Sequence, residues 1–190
     1  DYFCPIIKHP KKICEISISS EQYDILFKIK SGFCLKVLAG AGCAKSTTSI
    51  LIAAQEKRKN HLILTYNREL ADESMKMIRD YGLTNIDCRT IHAQVGICAN
   101  RTCENDIKLI KQVKIWRNGG VVKRLRQYDI IYIDEAQDLR PSLYEALTYI
   151  LPLSVQVVVM GDPKQLLYDY NIEDAATCDY LQYAEKYFSK

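Results

Sequence analysis

Five short apolar runs punctuate the chain: Cys34 to Leu38, His61 to Thr65, Ile86 to Arg89, Asp129 to Ile133 and Val155 to Met160. They are nearly continuous rather than alternating, which is the pattern of strands covered on both faces. Between them, apolar residues recur at helical spacing. Ile25, Leu26 and Ile29 follow an N-cap signal at Ile18-Ser19-Ser20, and Thr47 to about Arg58 makes a second helix. Leu70, Met75 and Ile78 mark a third helix that stops at Gly82, and Pro141 is a good first residue for another. Strands alternating with helices predict an α/β fold, a parallel sheet with helices on both faces. Residues 1–17, with Pro5, Pro10 and Lys11-Lys12, read as an irregular lead-in, and Ala175 to Phe188 as a terminal helix. Residues 94–127 carry a basic, partly helical run (Lys108, Lys111, Lys114, Arg117, then Lys123, Arg124, Arg126) broken by Asn118-Gly119-Gly120. Such a run is ordinarily a solvated face, and a nucleic-acid contact is the minority reading.

In a parallel sheet, ligands gather at the carboxyl ends of the strands. Five polar clusters, at 39–46, 65–67, 90–92, 134–138 and 161–165, each follow an apolar run. The first continues into a helix: Ala39-Gly40-Ala41-Gly42-Cys43-Ala44-Lys45-Ser46-Thr47. Small residues let backbone N–H groups approach phosphate oxygens, and the helix N-terminus adds a dipole that favours anions. In that layout Lys45 reaches the β- and γ-phosphates, and the Ser46 hydroxyl holds Mg²⁺. Ala39 and Ala44 replace both outer glycines of the usual Gly-x-x-x-x-Gly-Lys-[Ser/Thr] pattern.

The fourth cluster supplies a matching acidic pair. Hydrolysis of a nucleoside triphosphate needs a metal on the β- and γ-oxygens and a positioned water. Asp134 suits the metal, and Glu135 suits the orientation and deprotonation of the water. The plain alternative is a helix N-terminus enriched in acids. Gln165, after the fifth run, is placed to sense the γ-phosphate with its amide.

Composition narrows the setting only a little. The 190 residues are one domain's length, and 48% hydrophobic with 26% charged residues is ordinary for a soluble globular protein. A net charge of +3 is too mild to establish a nucleic-acid partner. No stretch approaches the roughly 18 uncharged apolar residues of a membrane span, and the N-terminus has no signal-peptide layout. The chain begins with Asp1 rather than Met and so reads as an excerpt. Its eight cysteines are scattered and read as reduced thiols of an intracellular protein, cytoplasmic or nuclear. Cys88, His92, Cys98 and Cys103 make a poor zinc quartet, because no Cys-x-x-Cys pair is present.

Taken in order, these motifs resemble the first RecA-like domain of UvrD/Rep-type superfamily 1 DNA helicases. The resemblance rests on Ser20-Glu21-Gln22, Ala39 to Ser46, Thr65-Tyr66-Asn67, Thr90-Ile91-His92, Asp134 to Asp138 and Gly161-Asp162-Pro163-Lys164-Gln165-Leu166-Leu167-Tyr168. It spans about residues 18–175, and residues 176–190 would lead to a second motor domain. It implies a RecA-like P-loop NTPase fold and an ATP-dependent DNA helicase that translocates on single-stranded DNA and unwinds duplex. ATP and Mg²⁺ would sit on Gln22, Gly40, Ala41, Gly42, Cys43, Ala44, Lys45, Ser46 and Thr47, with Gln22 contacting adenine and Asp134 and Ser46 serving the metal. Glu135, Lys45 and Gln165 would be catalytic. Thr65, Tyr66, Asn67, Thr90 and His92 would line a single-stranded DNA path, and Tyr170 would stack on a base.

Three departures from the family pattern matter. Ala44 puts a Cβ where a phosphate approaches and is expected to weaken nucleotide affinity. Asn171 stands where the family often has an arginine. The second RecA-like domain, whose arginine is worth about 10³–10⁵ in rate, is not part of these residues, so this piece is expected to hydrolyse ATP slowly at best and not to unwind DNA. About 40 residues separate His92 from Asp134, leaving at most a vestige of the family's accessory domain. Two rival readings are a non-catalytic module with a degenerate phosphate loop and a superfamily 1 RNA helicase.

Overall fold

The computed structural model describes residues 19–40 and 45–162 in full, together with the backbone of four two-residue strands before them. Its centre is a five-stranded sheet: β1 (Leu35–Leu38), β2 (His61–Thr65), β3 (Ile86–Thr90), β4 (Ile130–Ile133) and β5 (Gln156–Gly161). The spatial order is β1-β5-β4-β2-β3, and every neighbouring pair is parallel. All five carboxyl ends therefore lie along one edge. Among the described residues α1 (Ser20–Lys30) precedes β1, and α2 (Lys45–Gln55), α3 (Arg68–Asp80), α4 (Ile91–Ala99), α5 (Asp106–Arg117) and α6 (Pro141–Ile150) connect the strands.

Each central strand is buried on both faces, so successive residues serve two separate cores. Leu62, Leu64, Ile131, Ile133, Val157 and Val159 pack with α4, α5 and α6. Ile63, Ile130, Tyr132, Val158 and Met160 face the other way, onto α1, α2 and α3. Each such side chain contributes about 1.5–3 kcal/mol by leaving water.

The basic stretch after His92 is more ordered than its composition implies. In α5, Leu109, Val113 and Trp116 turn one face into the core, while Lys108, Lys111, Lys114 and Arg117 stay exposed. The Trp116 Nε1–H donates to the Val121 carbonyl at 3.1 Å. Gly119 ends the helix at φ +85°, and Gly120 donates to the Ile115 carbonyl at 3.0 Å. A Cβ on Gly120 would lie 2.8 Å from that same oxygen, so the tandem glycine is sterically required. The helix bears out the partly helical reading of this run and ends just before Asn118-Gly119-Gly120, where the run was expected to break.

The lead-in, expected to be irregular, carries two antiparallel pairings, Tyr2–Phe3 with Ser17–Ile18 and Ile7–Lys8 with Ile13–Cys14. Two-residue strands are too short to leave a periodic signal. The expected terminal helix lies outside the described residues.

His61, at the amino end of β2, is fully buried, stacked on Tyr132 at 5.9 Å between ring centroids. Its ring nitrogens lie 3.2 Å from the Tyr132 hydroxyl and 3.3 Å from the Glu56 carbonyl. Burial lowers its pKa below the ordinary imidazole value, against a smaller opposing pull from the Glu56 carbonyl. Above about pH 6.5 the ring is neutral in both folded and unfolded chains and makes no pH-dependent contribution. As pH falls below that value the unfolded chain binds the proton first, so stability declines, by at most about 1.4 kcal/mol per pH unit. Urea unfolding at pH 7.5 and pH 5.5 is expected to show a steeper decline for the native chain than for His61→Gln. Equal declines would remove His61 as the cause.

Candidate nucleotide site and nucleic-acid cleft

The strand order decides how the phosphate-loop helix meets the acidic turn. β5 lies between β1 and β4, so the chain ends that carry Lys45 and Asp134 start about 10 Å apart, two strand spacings. Side chains close the gap. The Ser46 hydroxyl donates to Asp134 Oδ2, and the Lys45 ammonium lies 3.4 Å from Glu135 Oε1. Lys45 also donates to the Ala39 and Gly40 carbonyls at 3.4 and 3.5 Å, which holds it against the end of β1. Thr47 is half-buried in the same first helical turn.

Asp134 is 1% exposed and accepts from the Ser46 hydroxyl and, at 2.9 Å, from the Glu135 N–H. Burial pushes its carboxyl above the usual range, opposed by the Ser46 hydrogen bond and abetted by the Glu135 charge. A hydroxyl and a buried carboxylate are hard oxygen donors, the set that suits Mg²⁺ with several retained waters. The residues present therefore fit the ion, and Ser46 and Asp134 would hold it. Among the described residues no three His, Cys, Asp or Glu side chains gather to form an all-protein metal cage, which leaves the Cys88, His92, Cys98, Cys103 quartet unsupported. Those three cysteines are buried free thiols, and burial raises Cys88 to about 12 and Cys103 to about 11.

Glu135 is held in the left-handed region, φ 50° and ψ 46°, a conformation uncommon for a residue with a Cβ. A 3-10 turn, Ala136–Asp138, follows it. Its Oε2 accepts from the Gln137 amide at 2.6 Å, and Gln137 Oε1 in turn accepts from the Asp162 N–H at 3.0 Å. The acidic turn is thus aimed by the end of β5. Strain of this kind persists where surrounding contacts fix it, and it concentrates at working sites. Asp138 beside it is pushed up to about 6 by burial and then by the Glu135 charge.

Gln22 is held by two elements. It completes a capping box with Ser19, donating its N–H to the Ser19 hydroxyl while its Oε1 accepts from the Ser19 N–H at 3.0 Å. Its amide also donates to Thr48 on α2 at 2.8 Å. The spacing Ser-x-x-Gln carries the signal for the box; nothing local carries the contact with Thr48. Gly40 is exposed at the loop entrance. Ala41, Gly42, Cys43 and Ala44, together with Gln165 and Tyr170, lie outside the described residues.

The residues expected along a DNA path divide. Tyr66, Thr90 and His92 line an open cleft of about 930 Å³ beside the carboxyl ends of β2 and β3. Arg68, Arg89, Arg101 and Lys123 bring positive charge to it against Asp72 and Glu104. Thr90 has a structural duty as well, and Asn67, which is not among the residues lining the cleft, has one instead. The Asn67 side-chain Oδ1 caps α3 by accepting from Glu69 N–H at 2.8 Å, and the Thr90 hydroxyl caps α4 by accepting from Ala93 N–H at 3.2 Å. Thr65 is a correction: it is 1% exposed, inside the end of β2 between β3 and β4, and presents no surface to a strand of DNA. Sequence reading also missed Asp106 and Arg140. The Asp106 carboxylate accepts from His92 Nε2 at 2.8 Å, from Tyr66 Oη at 3.4 Å and from Arg140 Nη1 at 3.0 Å.

A parallel sheet with a lysine-serine helix start after one strand and an acidic pair after another defines an α/β domain of RecA-like fold. Residues 22–171 match the AAA domain family, and the chain belongs to it. Among solved structures it is similar to Pif1 helicases captured as a coordinating pair on forked double-stranded DNA, at 18% identity and a TM-score of 0.55 over 84% of this chain and 37% of that one. The Candida albicans Pif1 helicase gives 22% identity and a TM-score of 0.56, over 85% and 36%. Bacteroides sp Pif1 in complex with ADP-AlF4 gives 16% and 0.53, over 92% and 37%. The chain thus shares a fold with part of these proteins and spans a little over a third of their length. No curated protein matches it.

Proposed function

We propose that this chain is the ATP-binding motor domain of a superfamily 1 DNA helicase, with Mg·ATP on the Lys45–Asp134 edge and single-stranded DNA in the adjoining cleft. The observation that carries the reading is the convergence of Lys45, Ser46, Asp134 and Glu135 from two non-adjacent strands. Lys45 trades its carbonyl and Glu135 partners for phosphate oxygens. Glu135, aimed by Gln137, orients the attacking water and takes its proton. Ser46 and Asp134 would hold Mg²⁺, which would supply charge neutralisation to the phosphates. A second RecA-like domain completes the motor and contributes the transition-state arginine. The Asp134 to Asp138 and Gly161 to Gln165 motifs favour the UvrD/Rep branch, while the Pif1 likeness of the fold fits a sister branch. Free buried thiols support an intracellular, reducing setting.

Fluorescence anisotropy with a labelled oligothymidylate and a matched oligouridylate tests the partner. Saturable, salt-sensitive binding that prefers the deoxy strand is expected. Preference for the ribo strand would move the chain to the RNA branch. Binding to neither would favour the non-catalytic reading that Ala44 supports.

A further inference from the structure

The network around Asp106 lies apart from the nucleotide site, and no motif of the sequence contains it. Asp106 begins α5, in the basic stretch, yet its side chain is only 18% exposed. Three donors from three other elements converge on it. Tyr66 comes from the turn after β2 and His92 from the first turn of α4. Arg140 comes from the residue before α6, with its side chain 11% exposed. The Tyr66 and His92 rings are themselves in contact, 5.6 Å between centroids and tilted by 59°. One carboxylate thus fixes the orientation of two cleft-wall side chains. The hydrogen bond from His92 first, then the Arg140 charge, holds this carboxyl below the usual carboxylate range.

Arg140 links the cluster to the acidic turn. Between it and Glu135 the chain is tightly folded: Asp138 N–H donates to the Glu135 carbonyl at 3.0 Å and Leu139 N–H to the Ala136 carbonyl at 3.2 Å. Ala136 and Leu139 are buried, and the Tyr144 hydroxyl donates to the Ala136 carbonyl at 3.3 Å. A short, packed turn of this kind transmits displacement at either end, because close-packed groups have little room to absorb it.

We infer that Asp106 is a positioning residue that sets Tyr66 and His92 on the cleft wall and, through Arg140, couples occupancy of the cleft by single-stranded nucleic acid to occupancy of the nucleotide site. The inference rests on the proposed reading of the cleft as a nucleic-acid path. It makes α5 a part of the motor rather than a remnant of an insertion.

The test is the affinity of the whole chain for labelled oligothymidylate, with and without saturating Mg·AMP-PNP, in the native protein, Asp106→Asn and Arg140→Lys. In the native chain the nucleotide analogue is expected to change oligonucleotide affinity by about 5–150-fold. In both variants that ratio is expected to fall to within about twofold of one, while binding of the analogue alone stays within about twofold of native. Arg140→Lys keeps the charge but loses the guanidinium fork, so it serves if Asp106→Asn fails to fold, which circular dichroism would report. A native-sized ratio in a folded variant overturns the inference and leaves the cleft assignment standing. No oligonucleotide binding by the native chain overturns the cleft assignment and this inference with it.

Discussion

Lys45→Ala is expected to abolish saturable binding of a non-hydrolysable Mg·ATP analogue, read by calorimetric titration of the chain. Lys45 is 8% exposed, and its ammonium is held by two backbone carbonyls and by Glu135. It is a buried cation whose present partners are weaker acceptors than a triphosphate. The ammonium is attracted more strongly to an anionic phosphate oxygen than to a neutral carbonyl, so phosphate oxygens displace the carbonyls. Removing the ammonium also leaves Glu135, Asp134 and Asp138 as a cluster of carboxyls facing the incoming anion. Both effects act in one direction, and a loss of at least about 100-fold, some 2.7 kcal/mol, is expected. Undiminished binding by Lys45→Ala would remove the nucleotide assignment. Ala44→Gly is expected to raise the native affinity, and no gain would remove the cost assigned to Ala44.

Glu135→Gln is expected to separate binding from chemistry. The amide keeps the size of the carboxylate and can still meet Gln137, but it cannot accept a proton. Analogue affinity is expected to stay within a few-fold of native, while single-turnover hydrolysis of ATP falls by about 10²–10⁴. Native turnover is expected to be slow, so the comparison needs enzyme in excess over labelled ATP. Unchanged hydrolysis would transfer the role of base to Asp138, whose carboxyl is pushed by burial up to about 6 in the same turn. The left-handed backbone of Glu135 gives an independent check. A residue kept at φ 50° against its own preference is one whose direction matters more than its local stability.

Much of this site was legible along the chain. Strands buried on both faces must be apolar at every position, so Ile130 to Ile133 and Val157 to Met160 announce themselves. The polar residues after each run stand out for the same reason. Gly82 as a helix stop and Pro141 as a helix start also follow from local backbone chemistry. Lys45, Ser46, Asp134 and Glu135 could be assigned roles from residue type and motif.

The tertiary structure decided which of those residues meet. Nothing local says that β5 slots between β1 and β4, yet that order sets the gap which Ser46 and Asp134 span. Thr65 sits one residue before Tyr66 and reads as part of the same exposed motif, but neighbouring strands on both sides bury it. Asp106, 14 residues from His92 and 34 from Arg140, lies in a stretch whose charge signals only solvent. Periodicity records whether a position is buried. It does not record against what, because the partners of a buried group are fixed by strand order and helix packing, which join residues far apart in the chain.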